Sequence, residues 1–435
     1  MPRPTLSVIG LGYLGATHAI CMADLGYDVI GLDVDAGKVE ALANGTVPFF
    51  EPGLDELLAK VLPTGQLTFT TSYDDIAEAA DVHFLCVGTP QRKGENAADI
   101  SYVDAAVESL ATRLRRPCTV VGKSTVPVGT AERVTEQFAH NEVELVWNPE
   151  FLREGWAIED TLHPDRLVFG VTSERGEQTM RAVFAPIIDT GVPVVVTDLA
   201  TAQLVKVAAN AFLATKISFI NAMAEVCEVV HADVKKLSEA LSYDERIGGR
   251  FLHAGLGFGG GCLPKDIRAF MARAGELGVD QALTFLTEVD AINQRRRARM
   301  VDLTRELLDD SLSGRRIGVL GAAFKPHSDD IRDSPALDVA SRLHRAGAHV
   351  TVYDPAALAN ARRDYPALAY AESAVDAAAG ADAVLHLTEW PEFVQMDPEV
   401  LGAVVNRRNV VDGRNALDAT RWRAAGWHYR ALGRP

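Results

Sequence analysis

The stretch "LSVIGLGYLGATHAICMADLGYDVIGLDVD", residues 6–35, leaves the start of this chain little freedom. A β-branched apolar run meets a turn with three glycines, a helix of small and apolar residues follows, and a second apolar run ends in acid. That order is a βαβ unit. Further apolar runs at "DVHFLCVGTP", "CTVVGKSTVP" and "VELVWNPEFL" alternate with helical stretches such as "YVDAAVESLATRL". A parallel, doubly wound sheet to about residue 200 is the economical reading.

Residues 201–232, "TAQLVKVAANAFLATKISFINAMAEVCEVVHA", contain no Gly or Pro and place apolar residues on nearly every face. A helix apolar all round must be buried. One small domain hardly covers so long a helix, so its second side is expected to pack on a partner subunit; the alternative is an ordinary core helix. A second βαβ signal opens with "RRIGVLGAAFKP", runs through "SPALDVASRLHRAGA" and closes with "HVTVYDP". Its glycines, Gly318 and Gly321 followed by Phe324, fall short of GxGxxG, so its phosphate turn is degenerate. The expected fold is α/β: two doubly wound parallel-sheet (Rossmann-like) domains joined by a long central helix, with boundaries at 1–200, 201–300 and 310–435.

Composition removes several classes of function. A formal charge of −16 disfavours nucleic acid as a partner, because neutralising phosphates needs concentrated Lys and Arg. No uninterrupted apolar run approaches the ~20 residues that cross a bilayer, and "MPRPTLSVIG" enters a strand without the pattern of a secretory signal. No membrane partner is expected. Five cysteines without paired CxxC spacing argue against a disulfide framework and a structural zinc site. They fit a reducing compartment, so the expected location is cytoplasmic and no metal is expected.

Gly10, Gly12 and Gly15 satisfy GxGxxG between a strand and a helix, the setting in which that weak motif becomes a dinucleotide signature. Asp33 closes the second strand, near the position of a ribose-binding acid, and an acid there repels a 2′-phosphate. NAD is therefore favoured over NADP. Lys38 reaches either a ligand or solvent, and Thr89 and Thr125 lie at the ends of later strands, where such sheets bind ligands or merely turn.

Chemistry concentrates in two places. In "GFGGGCLPKD", residues 257–266, Cys262 follows a glycine run and precedes Lys265 and Asp266. That reads either as an exposed thiol with a lowered pKa or as a structural loop cysteine. Cys21, Cys86, Cys118 and Cys227 sit in apolar elements and read as packing. In "NPEFLREGWAIED", Glu150 and Glu154 stand four residues apart beside an apolar pair, as candidate general bases or as a helix-start acid and a salt-bridge partner. Lys206 and Asn210, spaced i, i+4, share one face of the apolar helix, where a lysine must meet an anion or a reacting oxygen.

Taken in order, "GLGYLG", "EPGLDELL", "STVPVGT", "NPEFLREG", "NAFLATKISFIN", "GFGGGCLPKD", "FKPHSDDIRDSP" and "DGRN" resemble the UDP-glucose 6-dehydrogenase family, within a group that includes GDP-mannose and UDP-N-acetylmannosamine dehydrogenases. The resemblance implies oxidation of a nucleotide sugar's primary alcohol to a carboxylate by NAD, through a thiohemiacetal and a thioester on Cys262. It implies catalytic roles for Glu150, Glu154, Thr125, Lys206, Asn210 and Asp266. Cofactor contacts would come from Gly10, Gly12, Leu14, Gly15, Asp33, Lys38, Thr89, Thr125, Glu154, Lys265 and Arg332. Substrate contacts would come from Glu150, Phe151, Leu152, Arg153, Glu154, Lys206, Asn210, Phe251, Leu252, His253, Ala254, Gly255, Gly259 and Lys325. Arg246 matches a position that reaches a neighbouring subunit's site in a homodimer or larger assembly, and Arg414 one near the uridine phosphates. Gly261 stands where serine is common, and His18 where a small or apolar residue is usual. "FLREG" favours UDP-glucose as the sugar nucleotide; GDP-mannose or UDP-N-acetylmannosamine is the alternative.

Overall fold

Short apolar runs of alternating orientation build the first sheet. In the computed structural model, which describes residues 3–138 and 142–435, the strands are β1 Leu6–Ile9, β2 Val29–Leu32, β3 Leu67–Thr70, β4 Val82–Leu85, β5 Cys118–Gly122, β6 Val143–Trp147, β7 Leu167–Gly170 and β8 Val194–Thr197. They form one sheet in the order β3-β2-β1-β4-β5-β6-β7-β8. Leu6 and Val8 face one core with Ile20, Met22, Phe84 and Phe169, while Ile9 faces another with Leu85, Val107, Val120 and Trp147. Both faces are covered, as a parallel sheet requires.

One pairing departs from the all-parallel expectation: β6 and β7 meet antiparallel at Trp147 and Gly170. The segment between them is mostly irregular and holds only a six-residue helix, Ala157–Leu162, in place of a crossover helix. The sequence shows the runs but not the direction in which the chain returns.

The second sheet comprises β9 Arg316–Leu320, β10 His349–Tyr353, β11 Ala369–Tyr370, β12 Ala383–His386, β13 Asn409–Asp412 and β14 His428–Ala431. Its order, β11-β10-β9-β12-β13-β14, repeats that of the first six strands, and every pairing is parallel. Between the sheets in sequence runs one helix, Leu199–Val230, of 32 residues. By length and composition it would cross a membrane. Its polar residues have protein partners instead: Lys216 donates to the Ile247 and Gly248 carbonyls, Asn221 accepts from the Gly255 amide, and Glu228 meets Arg296 and Arg299. The chain separates into two compact units, Met1–Ala209 with Arg268–Leu277, and Asn210–Ile267 with Gly278–Pro435.

His18 occupies the core beneath the first sheet, 1% exposed, with its ring 4.5 Å from that of Phe84. Neither ring nitrogen has a hydrogen-bond partner among the described residues. Burial, and then the nearby Lys123 charge, hold its pKa well below the usual histidine value; burial likewise pushes the buried His83 down to about 4. The unfolded chain takes up protons at these histidines below about pH 6.5 and the native state does not, so stability is lost as pH falls through that region. His18→Leu removes two unsatisfied buried nitrogens. It should stabilise the protein by about 1 kcal/mol near neutrality and by more near pH 5, in urea melts at both values.

Candidate active site

In the first unit, the glycine turn after β1 is shaped residue by residue. Gly10 has φ +93°, a Cβ on Gly15 would overlap the Gly10 carbonyl oxygen, and a Cβ on Gly12 would meet nothing within 4 Å. The first glycine makes the turn, the third lets helix meet strand, and the second leaves room for a ligand. The helix Tyr13–Asp24 then begins without a side-chain cap on its N-terminal amides, so those donors are available to a diphosphate. Asp33 accepts the Leu11 amide (2.8 Å) and the Asp35 amide (2.9 Å), with Lys38 at 3.7 Å. Thr89 donates to the Thr125 carbonyl (2.7 Å), joining the ends of β4 and β5. An open turn, an uncapped helix and an acid at the end of β2 fit a dinucleotide such as NAD.

The same unit carries the glutamates. Residues 148–153 are irregular, so Glu150 and Glu154 do not form the helical i, i+4 pair their spacing suggested. Glu150 accepts the Leu152 amide on Oε2 (2.6 Å) and Lys206 on Oε1 (2.9 Å). Phe151 lies under the Arg166 guanidinium, 3.6 Å from its ring centroid, and Arg153 forks onto Asp160. Leu152 and Glu154 are half-buried. Behind this loop is a residue the sequence did not single out: buried Lys123, which donates to Asn148 (3.0 Å) and whose pKa burial lowers. It sits one residue from Ser124 in the "KSTVP" turn, and only its burial distinguishes it from a surface lysine.

Lys206 is 5% exposed and Asn210, one turn along the same helix, 8%. In the second unit Asn210 donates to Asp266 Oδ2 (2.6 Å), while Lys265 pairs with the other oxygen (2.6 Å). The positive setting expected of Lys265 is therefore offset by its neighbour. What favours a thiolate at Cys262 is position. Cys262 is exposed, and its carbonyl accepts the Asp266 amide (2.9 Å), which places the thiol at the N-terminus of the 14-residue helix Leu263–Glu276.

The glycine run before it is gripped by side chains. Asn293, fully buried, bonds both the amide and the carbonyl of Phe258. Arg414 donates to the carbonyls of Leu387 (2.7 Å), Gly257 (2.9 Å) and Phe324 (3.0 Å), so its guanidinium ties three segments together. Asp412 supports it from behind, accepting the Arg414 amide, His386 and Tyr429. Burial raises the Asp412 carboxyl's pKa, but the hydrogen bond from His386 and the His386 charge outweigh it and hold the group low.

Leu252 and Ala254 point into the core with Ile220 and Ala224, Asn415 bonds the Ala254 carbonyl, and Gly255 passes against the Gly413 carbonyl. His253 is exposed and Phe251 has φ +66°. Gly259 passes close to the Asp333 carbonyl, Lys325 lies over the Phe324 ring (5.5 Å), and Arg332 forks onto Asp330. Arg246 is highly exposed and paired with Asp244.

The second βαβ turn is closed. Asp354 at the end of β10 accepts the Ala322 and Ala323 amides (2.7 and 2.9 Å), and Ser334 caps the helix Pro335–Arg345. A diphosphate would find those donors taken.

Residues 4–188 match the profile of the NAD binding domain of the UDP-glucose/GDP-mannose dehydrogenase family, residues 200–295 its central domain and 318–419 its UDP binding domain. The chain belongs to that family. Among curated relatives, it is 42% identical over 436 residues to the UDP-glucose 6-dehydrogenase of Rhizobium meliloti (strain 1021), covering 99% of both chains. It is 40% identical to UDP-glucose 6-dehydrogenase TuaD of Bacillus subtilis (strain 168), covering 99% of this chain and 93% of that one. A solved UDP-glucose dehydrogenase from Pyrobaculum islandicum superposes with a TM-score of 0.92 at 37% identity, covering 100% of this chain and 98% of the other.

Burial pushes the thiols of Cys21 and Cys86 up to about 12 and that of Cys118 to about 11. Limiting iodoacetamide near neutral pH should therefore alkylate Cys262 alone, with a rate midpoint below the ~8.5 of an ordinary thiol. Peptide mass mapping across a pH series checks both expectations.

Proposed function

We propose that this chain oxidises UDP-glucose to UDP-glucuronate with two NAD and one water. The observation that carries the reading is an exposed cysteine at a helix N-terminus, one turn from a buried carboxylate that also holds Asn210. NAD, when bound, accepts a hydride from the sugar's sixth carbon in each of two oxidations. Residues 1–200 serve the cofactor, 310–435 the UDP-sugar, and 201–300 supply the helix between.

The chain's own groups do the rest. Lys206 and Asn210 stabilise the oxygen that becomes an alkoxide, and Asp266 takes its proton. The Cys262 thiolate adds to the resulting aldehyde carbon, and the thiohemiacetal loses its hydride and its hydroxyl proton to become a thioester. Water then attacks the thioester carbonyl and the thiolate leaves. We assign that water to Glu154, a half-buried carboxylate on the irregular loop that follows Phe151 and Leu152. Five free thiols, one exposed, suit the reducing cytoplasm, where we place the chain.

The long helix adds a proposal about assembly. Phe212, Phe219 and Val226 recur every seventh residue and are 65%, 48% and 53% exposed, with Val229 at 78%. A heptad stripe of this kind is covered by another helix, and we assign that role to a second copy of the chain. Arg246 would then serve the partner's site.

Three outcomes are expected. Each UDP-glucose consumed should yield two NADH, and Cys262→Ser should bind both ligands yet lose nearly all turnover, because a serine hydroxyl is far less ionised. Asp33→Ala should narrow the preference for NAD over NADP, read as the ratio of kcat/KM values. Phe219→Glu should sediment as a monomer where the unaltered chain does not.

A further inference from the structure

Glu51 is 5% exposed and lies in "EPGLDELL", which the mechanism leaves without a role. Its carboxylate gathers three donors. Oε2 accepts the Tyr13 hydroxyl and the Gly155 amide (2.6 Å), and Oε1 accepts the Ala157 amide (2.8 Å). Tyr13 opens the helix whose uncapped N-terminus follows the glycine turn, and its hydroxyl also accepts the Gly155 amide (3.1 Å). Gly155 directly follows Glu154. On the other side of Glu154, the Arg153 amide is held by Asp160 (2.8 Å). Glu154 is thus flanked by two pinned amides, one of them fixed through Glu51 to the cofactor turn.

We propose that Glu51 is a positioning residue: it registers Glu154 against the glycine turn through Tyr13, so that the turn that holds the cofactor and the loop that activates water move as one piece. The inference rests on the reading that Glu154 activates the hydrolytic water. An acceptor-only group is required, because all three partners donate. Glutamine in its place turns an NH₂ toward at least one N–H or O–H, and that donor loses its partner. The Tyr13 hydroxyl's pKa, raised by burial and then by Glu51 and Glu154, agrees with both carboxylates lying near it.

The test compares Glu51→Gln, Tyr13→Phe and Glu154→Gln in the full-length enzyme with UDP-glucose and NAD. Glu51→Gln should lower kcat roughly tenfold with little change in KM, and intact mass should show a sugar nucleotide accumulating on Cys262. Because it also removes a negative charge near Glu154, the acid limb of its kcat profile should move to lower pH by about half a unit. Tyr13→Phe keeps both charges and so should slow hydrolysis less, without moving that limb. The double variant should be no slower than Glu51→Gln alone, since both break one network. A lower melting temperature with unchanged kcat and pH profile in both single variants would make the contact merely structural and overturn the proposal. A slow Glu154→Gln beside an unaffected Glu51→Gln would overturn the proposal alone; a silent Glu154→Gln would overturn the underlying reading and the proposal with it.

Discussion

An ammonium group taken out of water must be met by an anion, and Lys206, on a helix made largely of Val, Ala and Leu, meets that demand at Glu150, 2.9 Å away. One turn later Asn210 bonds Asp266 at 2.6 Å. Each polar residue on the buried stripe therefore fixes one carboxylate, Glu150 within the first unit and Asp266 within the second. Removing Lys206 would take from the partly buried Glu150 its ion-pair partner, so its loss reaches the loop that carries Phe151 to Glu154 as well as the helix.

The two sheets share a strand order but differ at the same point of the fold. After β1, Asp33 bonds only one amide of the turn, that of Leu11, and the following helix is uncapped. After β9, Asp354 takes two amides of the turn and the Trp390 indole, and Ser334 caps the helix that follows. An acid at the end of the second strand thus serves either to shape an open anion site or to fill it. The difference lies in how many turn amides the carboxylate reaches, which explains how one architecture holds a phosphate at its helix N-terminus in one half and closes that site in the other.

What the sequence made legible was local and periodic. The glycine turn, Asp33 and the Lys206–Asn210 face follow from spacing within a single element, and the structure places them as that spacing requires. Glu150 and Glu154, four residues apart, lie on an irregular segment and not on one helix face. The positive character assigned to Lys265 failed because Asp266, adjacent in sequence, is also its ion-pair partner. The clamps stayed hidden for a different reason. Arg414 draws its three carbonyls from residues 257, 324 and 387, and Asn293 reads the backbone of Phe258. Backbone acceptors carry no residue signature, so nothing in a sequence marks them as partners.

Those clamps explain why glycines precede the cysteine. At Gly259 a side chain would meet the Asp333 carbonyl and the Pro335 ring, at Gly260 the backbone has φ +84° against the Phe324 ring, and at Gly261 a Cβ would overlap the Arg332 guanidinium. At Gly259 and Gly260 the loop passes where a side chain does not fit, and it is held by Arg414 at Gly257 and by Asn293 at Phe258. Cys262 is the first side chain to emerge from this confined backbone, at the residue where the helix begins. Its thiol is therefore placed by main-chain packing. A methyl group added at Gly259 would push directly on the Asp333 carbonyl, so the loop itself must shift; one at Gly261 meets the tip of an exposed arginine, which can swing away. Two neighbouring glycines of one motif thus differ in what they protect: the first the path of the loop, the second only the resting place of Arg332.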